Sequence, residues 1–503
     1  MGDRSTGALR NRGSVRDLTG GSPLPGPTRF TPLALALLLP GAPAARAGET
    51  APAYRETAGR ILGRALVDDG AWKKLEHLTI RIGHRLSGSP GLEKAVAWAH
   101  EGMKAEGLEG ARLQPVKVPR WVRGREWARA VSPVERELPV LGLGLSVGTP
   151  KEGITAPVVV VRGFEDLQAL GRERVEGRIV AFAPDWEGYG RTVRFRSSGA
   201  SAAAKLGALA VLVRSATGRS LASPHTGALG YAEDAPKIPA ASITVEDAEW
   251  LRRMAAAGET VTVSLFMEAR LEAEADSANV IAEIRGSEKP DEVVVMGGHY
   301  DSWDVGQGAH DDGCACMAAW QALTILKELG LRPRRTLRVV LWANEENGLR
   351  GGRAYREALG DSVSSHVAAI EMDGGCERPV GFGFSVTKPG EPRPRRGEGG
   401  TPVEPADPVA AKALATVREV GSLFDSIDAG TVKWGGGGAD ISPLMRDGVP
   451  GLSLDTVGEH YFDWHHSHAD TLDKVDPAAL RRAVGMLAVM GYVLADLPDR
   501  LVQ

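Results

Sequence analysis

The sequence predicts an α/β protein in which a sheet is covered by helices on both faces and a β-rich insert interrupts the chain. Apolar, strand-like runs alternate with helical segments from about residue 278 to the C-terminus, which is typical of such a sheet. Short β-like runs are concentrated between residues 156 and 266. The length of 503 residues indicates two to four domains at about 150 residues each, and 43% hydrophobic with 25% charged residues is a globular composition.

The first 47 residues contain the parts of a secretory signal. Five arginines precede an apolar run at 32–39, and Ala45-Arg46-Ala47 follows it as an A-x-A cleavage site. The run is far shorter than the roughly 20 residues that a membrane-spanning helix needs, and no later segment looks apolar enough to span a bilayer. We therefore predict a signal peptide or leader over 1–47 and a secreted or periplasmic protein. The alternative is a disordered or misassigned leader.

The next two segments are the N-terminal part of the main domain, 48–130, and the insert, 131–272. Helical spacing of apolar residues predicts an amphipathic helix over 91–106 in the first segment. The insert is predicted to have strands at 157–163, 177–183, 208–214 and 261–266, with helices over 197–206 and 245–257.

The larger part of the main domain follows over 273–503. Its predicted strands are 279–286, 291–302, 335–346 and 366–375, and its predicted helices are 314–329, 351–358 and 476–494. The Pro- and Gly-rich segment 388–408 is predicted to be an exposed loop.

Charge and cysteine content narrow the possible functions. The 60 Lys and Arg residues nearly balance 64 Asp and Glu, and the net charge of −4 disfavours a nucleic-acid binder that relies on a broad basic field. Cys314, Cys316 and Cys376 cannot build a disulfide framework and are expected to be buried thiols. A Cys316–Cys376 disulfide is the alternative, because export would permit it.

Histidines and acidic residues follow several of the predicted strands, where ligands bind in open α/β sheets. They are His299 and Asp301, the pair Glu345-Glu346, and Asp373, while Asp311-Asp312 opens a helix. Such groups are costly to desolvate unless they are paired or bind a metal. Histidine with carboxylates is the ligand set of hydrolytic zinc, and a two-metal site also needs a bridging carboxylate.

This inventory provides a two-metal ligand set: His299, Asp311, Glu346, Asp373 and one histidine from the C-terminal group 460–468. Asp301 is placed to accept the second imidazole N–H of His299. Glu345 and Glu346 point to different sides because they are adjacent at a strand end. One of them can bind metal while the other acts as general base.

Four segments carry a family resemblance: HYDSWDVGQGAHDDG, RTLRVVLWANEENGLRGG, AAIEMDGG and HHSHADTLDKVD. They resemble the di-zinc exopeptidases of the aminopeptidase and glutamate-carboxypeptidase superfamily. The earlier RLSGSPG resembles the N-terminal catalytic segment of that family, and the insert resembles its protease-associated domain. The resemblance implies a three-layer α/β/α zinc-peptidase domain with a mixed central sheet.

The resemblance also implies roles for the candidate residues. His299 and Asp373 would hold one zinc ion, Glu346 and His466 the other, and Asp311 would bridge them. The frame H-(S/T)-x-x-D-T selects His466 rather than His465 or His468, and a cis peptide bond is expected between Asp311 and Asp312. The role of His310, directly before the bridging residue, stays open.

The implied activity is zinc-dependent hydrolysis of dipeptides or short peptides with two zinc ions per chain, Glu345 as general base and Asp301 beside it. Dipeptidase or carboxypeptidase activity is favoured, with an aminopeptidase as the alternative. A deacylase or amidohydrolase and a non-catalytic, receptor-like relative are further alternatives. Gly437, Gly438 and Asp440 would line the substrate pocket, although a flexible loop is the other interpretation of this segment. A homodimer is also implied.

Overall fold

Two eight-stranded mixed sheets build the part of the chain that the computed structural model describes, residues 49–391 and 404–502. The predicted leader and most of the predicted loop at 388–408 lie outside these residues. The first sheet comprises β1 (Glu109–Val122), β10 (Arg270–Ile284), β11 (Lys289–His299), β12 (Arg335–Trp342), β13 (His366–Glu371), β14 (Pro379–Ser385), β15 (Thr431–Trp434) and β16 (Gly451–Thr456). The second comprises β2 (Glu126–Ser132), β3 (Arg136–Leu138), β4 (Val140–Gly142), β5 (Ile154–Val161), β6 (Ile179–Phe182), β7 (Ala210–Arg214), β8 (Ala240–Ile243) and β9 (Thr262–Met267).

Twelve α-helices accompany the sheets in the described residues. They are α1 (Thr50–Ala65), α2 (Gly70–Glu76), α3 (Pro90–Ala105), α4 (Phe164–Val175), α5 (Tyr189–Ala204), α6 (Val245–Ala256), α7 (Cys314–Glu328), α8 (Arg350–Leu359), α9 (Pro408–Gly421), α10 (Ser442–Arg446), α11 (Tyr461–Trp464) and α12 (Pro477–Asp496). Several begin at a side-chain cap followed by proline, as at Ser89, Asp407 and Asp476.

The first sheet has the order β1-β10-β12-β11-β13-β16-β14-β15. Its four central strands, β12, β11, β13 and β16, are parallel, while β1 and β10 pair antiparallel at one edge. The apolar run of β11 is buried on both faces, as the continuous hydrophobic pattern predicts. The predicted mixed α/β sheet is therefore confirmed.

Helices cover both faces of this sheet. Val294 and Met296 of β11 belong to a core cluster with α1, α7 and α12. Val293 and Val295 point the other way, into a cluster with α8 and α10. This alternation follows from the two-residue period of a strand.

Helix α12 corrects one sequence expectation. By length and composition it is apolar enough to cross a membrane, although no such segment was expected after residue 47. Within the protein, 83% of the most apolar 18-residue stretch of this helix is buried, and the helix packs against α1, α7 and the first sheet. It is therefore a core helix in this fold.

The second sheet has the order β3-β2-β9-β5-β6-β7-β8-β4, with β5 to β8 parallel. Helices α4, α5 and α6 accompany these parallel strands, so this part contains more helix than the sequence predicts. Trp303, from the loop after β11, joins the hydrophobic cluster of this sheet. The core of the predicted insert is thus continuous with residues of the main part, and the domain division stays a prediction.

All three cysteines are free and buried. The expected thiols are confirmed, and the alternative Cys316–Cys376 disulfide is not formed.

Candidate metal centre

Three neighbouring parallel strands bring the predicted side chains together. His299 is the last residue of β11, Glu345 and Glu346 follow β12, and Asp373 follows β13. Because β12, β11 and β13 are adjacent and parallel, their carboxyl ends meet at one edge of the sheet.

Asp311 lies in the middle of this group. Its peptide bond to Asp312 is cis, as the resemblance implied. The carboxylate of Asp470 accepts hydrogen bonds from the backbone N–H groups of Ala309, His310 and Asp311, at 3.0, 2.7 and 3.2 Å. Three donors on one buried carboxylate hold the turn that carries Asp311.

The two oxygens of Asp311 face two different histidines. Oδ1 lies 3.1 Å from Nε2 of His299, and Oδ2 lies 3.1 Å from Nε2 of His466. On the first side, Oδ1 of Asp373 is 3.6 Å from the same His299 nitrogen. On the second side, Oε2 of Glu346 is 2.9 Å from the same His466 nitrogen. The five side chains thus form two half-sites that share Asp311.

Both imidazoles are oriented by backbone carbonyls. Nδ1 of His299 lies 3.1 Å from the carbonyl oxygen of Asp301, and Nδ1 of His466 lies 3.2 Å from that of Thr226. A proton on each Nδ1 leaves the Nε2 lone pairs free for a metal. The expected partner of His299 was the carboxylate of Asp301, but its Oδ1 is 3.9 Å away. That expectation was wrong, because this carboxylate is occupied elsewhere.

The carboxylate of Asp301 holds the turn after β12. It accepts the backbone N–H of Glu345 at 2.9 Å and that of Glu346 at 3.3 Å, together with the hydroxyl of Ser87 at 3.2 Å. Ser87 in turn accepts a hydrogen bond from the side-chain amide of Asn344 at 2.9 Å. Asp301 therefore sets the direction of both glutamates through the backbone.

Arg85 explains why the RLSGSPG segment belongs to this site. Its guanidinium is fully buried and donates to four backbone carbonyls, those of Gly83, Tyr300, Gln307 and Gly308. Three of these carbonyls lie on the loop between β11 and α7. Arg85 therefore fixes the loop that joins His299 to Asp311.

Burial raises the pKa of Glu345 well above its ordinary value, and the nearby carboxylates of Asp373 and Glu346 add to the effect. The residue lines a cavity of about 490 Å³ together with Asp311, Asp373 and His466. A glutamate with a raised pKa at this position suits proton transfer near neutral pH.

Buried oxygens without partners indicate that these residues fit a cation. Oδ2 of Asp311 and Oε1 of Glu346 are buried and have no hydrogen-bond partner among the described residues. Burial raises the pKa of Glu346 to about 7. Buried acceptors are ordinarily satisfied, and histidines with carboxylates are the donor set that zinc prefers.

His465 is a residue that the sequence frame set aside. Its Nε2 lies 3.6 Å from Oδ2 of Asp311, and its ring stacks on that of His466 at 3.5 Å. The groups of three potential ligands in the described residues are Asp311 with His465 and His466, and His299 with Asp311 and Asp373. His465 is therefore a neighbour of the second half-site that sequence spacing did not reveal.

His310 belongs to neither group of ligands. Its Nδ1 accepts the backbone N–H of Cys376 at 3.0 Å, and its ring packs at 4.9 Å from that of Trp464. The role of His310 in this structure is therefore packing and backbone hydrogen bonding rather than metal binding.

Two cavities adjoin the centre and share Asp373, Tyr461 and Phe462. The cavity of about 490 Å³, here called the arginine cavity, also contains Arg196 and Arg353. The cavity of about 320 Å³, here called the glycine cavity, contains Gly437 and Gly438.

Gly438 lies tightly against a buried carboxylate. An added Cβ would come within 2.0 Å of the Glu371 carboxyl carbon, so no larger residue fits. Asp440 is buried and lines neither cavity, so the structure does not bring it to the pocket surface as expected.

This fold and this cluster define a metallopeptidase. The sequence model of peptidase family M28 matches residues 279–490. Relatives up to 43% identical over 88% of the chain establish that the chain belongs to this family. It is a zinc-dependent exopeptidase that acts on peptides.

Several individual proteins are similar to this chain over most of its length. The chain is 43% identical over 441 residues to carboxypeptidase Q of Bos taurus and 41% identical to that of Homo sapiens, with 88% of each chain covered in both comparisons. Among solved structures, a peptidase M28 precursor from Shewanella amazonensis SB2B matches with a TM-score of 0.81 and 33% identity, covering 90% of this chain and 99% of that one. An aminopeptidase from Aneurinibacillus sp. strain AM-1 shares the fold, with a TM-score of 0.61, 21% identity, and coverage of 88% and 97%.

Zinc affinity is expected to rise with pH. Burial alone lowers the pKa values of His299 and His466, but their carboxylate neighbours outweigh it and raise both well above 6.5. Zinc binds neutral imidazole, so each histidine must release its proton on binding, and affinity weakens as pH falls. A chelator competition series between about pH 6 and pH 8 measures this slope. A pH-independent affinity would contradict the assignment, and His299→Gln should reduce the slope.

Proposed function

We propose that the chain holds two zinc ions on the five predicted residues. His299, Asp373 and Oδ1 of Asp311 would hold one ion, while His466, Glu346 and Oδ2 of Asp311 would hold the other. The observation that carries this proposal is the position of Asp311, with each oxygen 3.1 Å from a different imidazole Nε2. A carboxylate between two half-sites is the bridging group that a two-metal hydrolase needs.

Zinc bound at these residues would supply a Lewis acid for the scissile carbonyl and would lower the pKa of water. Glu345 is the proposed general base: it takes a proton from the attacking water and returns it to the leaving amine. Asp301 is proposed as a positioning residue, since its carboxylate bonds to the backbone of Glu345 and Glu346 rather than to the cavity.

The proposed substrates are dipeptides or short peptides with a free C-terminus. Arg353 is exposed in the arginine cavity and has no carboxylate partner among the described residues. Arg196 lines the same cavity, donates to the Tyr189 hydroxyl at 3.0 Å and to the carbonyl of Thr226 at 3.2 Å, and keeps a buried Nε without a partner. Two such guanidinium groups beside Glu345 suit a substrate carboxylate. Gly437 and Gly438 are proposed to contact the part of the substrate that lies in the glycine cavity.

A panel of blocked substrates tests this preference. Zinc-loaded protein is assayed with dipeptides, with their C-terminal amides and with their N-acetyl forms. We expect hydrolysis to tolerate N-acetylation and to be lost on C-amidation. The reverse pattern would establish an aminopeptidase, and cleavage restricted to N-acyl amino acids would establish a deacylase.

Arg353→Gln is expected to raise KM for dipeptides by about tenfold or more, since a hydrogen bond to a charged group is worth about 1.5–3 kcal/mol. Any residual hydrolysis of the C-amides, which lack the carboxylate, should be the same in this variant as in wild type. Arg350→Gln is a matched control on the same helix, because Arg350 pairs with Glu274 at 2.9 Å and does not line the cavity. Equal effects of the two variants on KM would contradict the proposed role.

Three further proposals concern the whole chain. Residues 1–47 are proposed to be removed on export to a secreted or periplasmic location. The protein is proposed to be a homodimer, as the family resemblance implies. The division into a main domain (48–130 and 273–503) and an insert (131–272) is supported by the two separate sheets.

A further inference from the structure

The second sheet contains a cavity that the proposed reaction does not use. Its volume is about 480 Å³, and it shares no lining residue with the arginine or glycine cavities. Its lining includes residues at or just after the carboxyl ends of three adjacent parallel strands. They are Asp185 after β6, Arg214 at the end of β7 and Glu246 after β8. This edge of an open parallel sheet is where α/β proteins bind ligands. We call it the insert cavity.

Arg214 is the buried cation of the insert cavity. The residue is only 8% exposed, and its Nη1 donates to the carbonyls of Ser215 and Thr217 at 2.8 and 3.0 Å. Within the described residues, Nε and Nη2 have no hydrogen-bond partner and no carboxylate lies within 4.0 Å. Burial lowers the pKa of this guanidinium, although nearby acidic residues partly compensate. A buried guanidinium with free N–H groups is suited to bind an anion.

The cavity also contains one carboxylate with free acceptor capacity. Oε1 of Glu246 accepts the backbone N–H of Ala222 at 2.7 Å, while Oε2 is buried without a hydrogen-bond partner of normal geometry in the described part of the chain. Burial alone would raise the pKa of this carboxyl, but backbone N–H groups, the Ser220 hydroxyl and Arg214 lower it, so it is an anion at neutral pH. The other acidic residues here are engaged: Asp185 pairs with Arg252 at 2.7 Å, and Glu249 pairs with Arg253 at 2.8 Å. Glu246 is therefore the group that could accept a ligand cation.

The remaining lining residues are apolar except for Ser220. They include the rings of Trp186 and Trp250, with Pro184 and Ala248 between the charged groups. The Arg214 guanidinium lies 5.9 Å from the Trp186 ring. Arg214 and Glu246 line the same cavity and form no ion pair within 4.0 Å, so neither group satisfies the other directly. A few converging polar groups on apolar walls are typical of a small-molecule site.

We propose that the insert cavity is a second, non-catalytic binding site for a zwitterionic free amino acid or dipeptide. Arg214 would bind the α-carboxylate, Glu246 would bind the ammonium group, and the two tryptophans would contact the side chain. Free amino acids are also what an exopeptidase releases, so the site would respond to the product of the chain's own activity. The site itself does not depend on the proposed zinc ligands or on the end preference.

Calorimetry with a panel of free L-amino acids on the full zinc-loaded chain tests the proposal. At least one amino acid should bind to wild type. Its amide and its N-acetyl form should each bind more weakly, because each lacks one of the two charges. Arg214→Gln should weaken binding by about tenfold or more. Arg172→Gln removes the same charge from an exposed arginine that pairs with Glu176 at 2.7 Å and does not line the cavity, so it should leave binding unchanged.

Two further variants separate the outcomes. Glu246→Gln preserves the Oε1 acceptor. It should weaken binding of the free amino acid but not binding of its N-acetyl form. This variant keeps the test valid if Arg214→Gln fails to fold. Asp311→Asn, which is expected to remove zinc, should leave this binding intact. Binding that is lost in Asp311→Asn but kept in Arg214→Gln and Glu246→Gln would assign the signal to the catalytic site and overturn the proposal. Absence of binding by every amino acid would also overturn it.

Discussion

Glu345→Gln is expected to retain zinc and to lose about 10²- to 10⁴-fold in kcat, the range that general bases contribute. Glutamine is nearly isosteric with glutamate but cannot accept and return the proton. The backbone N–H of residue 345 would still donate to Asp301, so the turn should keep its shape. Steady-state kinetics with a free dipeptide and zinc content by mass spectrometry measure the two effects separately.

The matched control is Glu357→Gln on the exposed face of α8, which should change neither activity nor zinc content. Substantial residual hydrolysis by Glu345→Gln would show that another group takes the proton. Loss of zinc together with activity would instead make Glu345 a ligand and reverse its proposed role with Glu346.

Asp311→Asn is expected to lose both of the proposed zinc ions and, with them, nearly all activity. Burial would raise the pKa of Asp311, but the neighbouring imidazoles of His299 and His466 outweigh it and hold this pKa well below its usual value. The residue is therefore an anion between two half-sites, and asparagine removes the charge from both. Zinc stoichiometry by mass spectrometry is the direct readout.

Variants of two neighbouring histidines, His310 and His465, serve as comparisons for this experiment. His310→Gln changes the buried residue next to Asp311 but should keep the zinc stoichiometry, because the imidazole of His310 accepts the backbone N–H of Cys376 and belongs to neither ligand group. His465→Gln tests the second half-site. Retention of zinc in His465→Gln and loss in Glu346→Gln would support Glu346 as the ligand, whereas the opposite pattern would replace it with His465.

The sequence predicts the fold well where a local pattern decides it. The apolar runs before His299, Glu345 and Asp373 are strands because continuous β-branched and aliphatic residues suit a sheet buried on both faces. The predicted helix at 314–329 is observed as α7, whose residues are buried along almost its whole length. Local pattern did not predict α4, since its hydrophobic face is weak and a non-helical glycine, Gly171, interrupts it.

The candidate ligands were also predictable, for a different reason. A metal site needs particular side chains, and His299, Asp311, Glu346, Asp373 and His466 stand in short motifs where those side chains are visible in the sequence. Asp440 was misplaced in the pocket because its position next to a glycine run does not reveal that the side chain is buried.

The sequence by itself determined which side chains could bind zinc and which strands deliver them, because residue type and short-range periodicity carry that information. Only the tertiary structure decided how they are oriented. The carbonyl of Thr226, 240 residues away along the chain, lies 3.2 Å from Nδ1 of His466 and orients that imidazole. Backbone carbonyls are present at every residue, so a contact made by one leaves no mark in the sequence until the chain has folded.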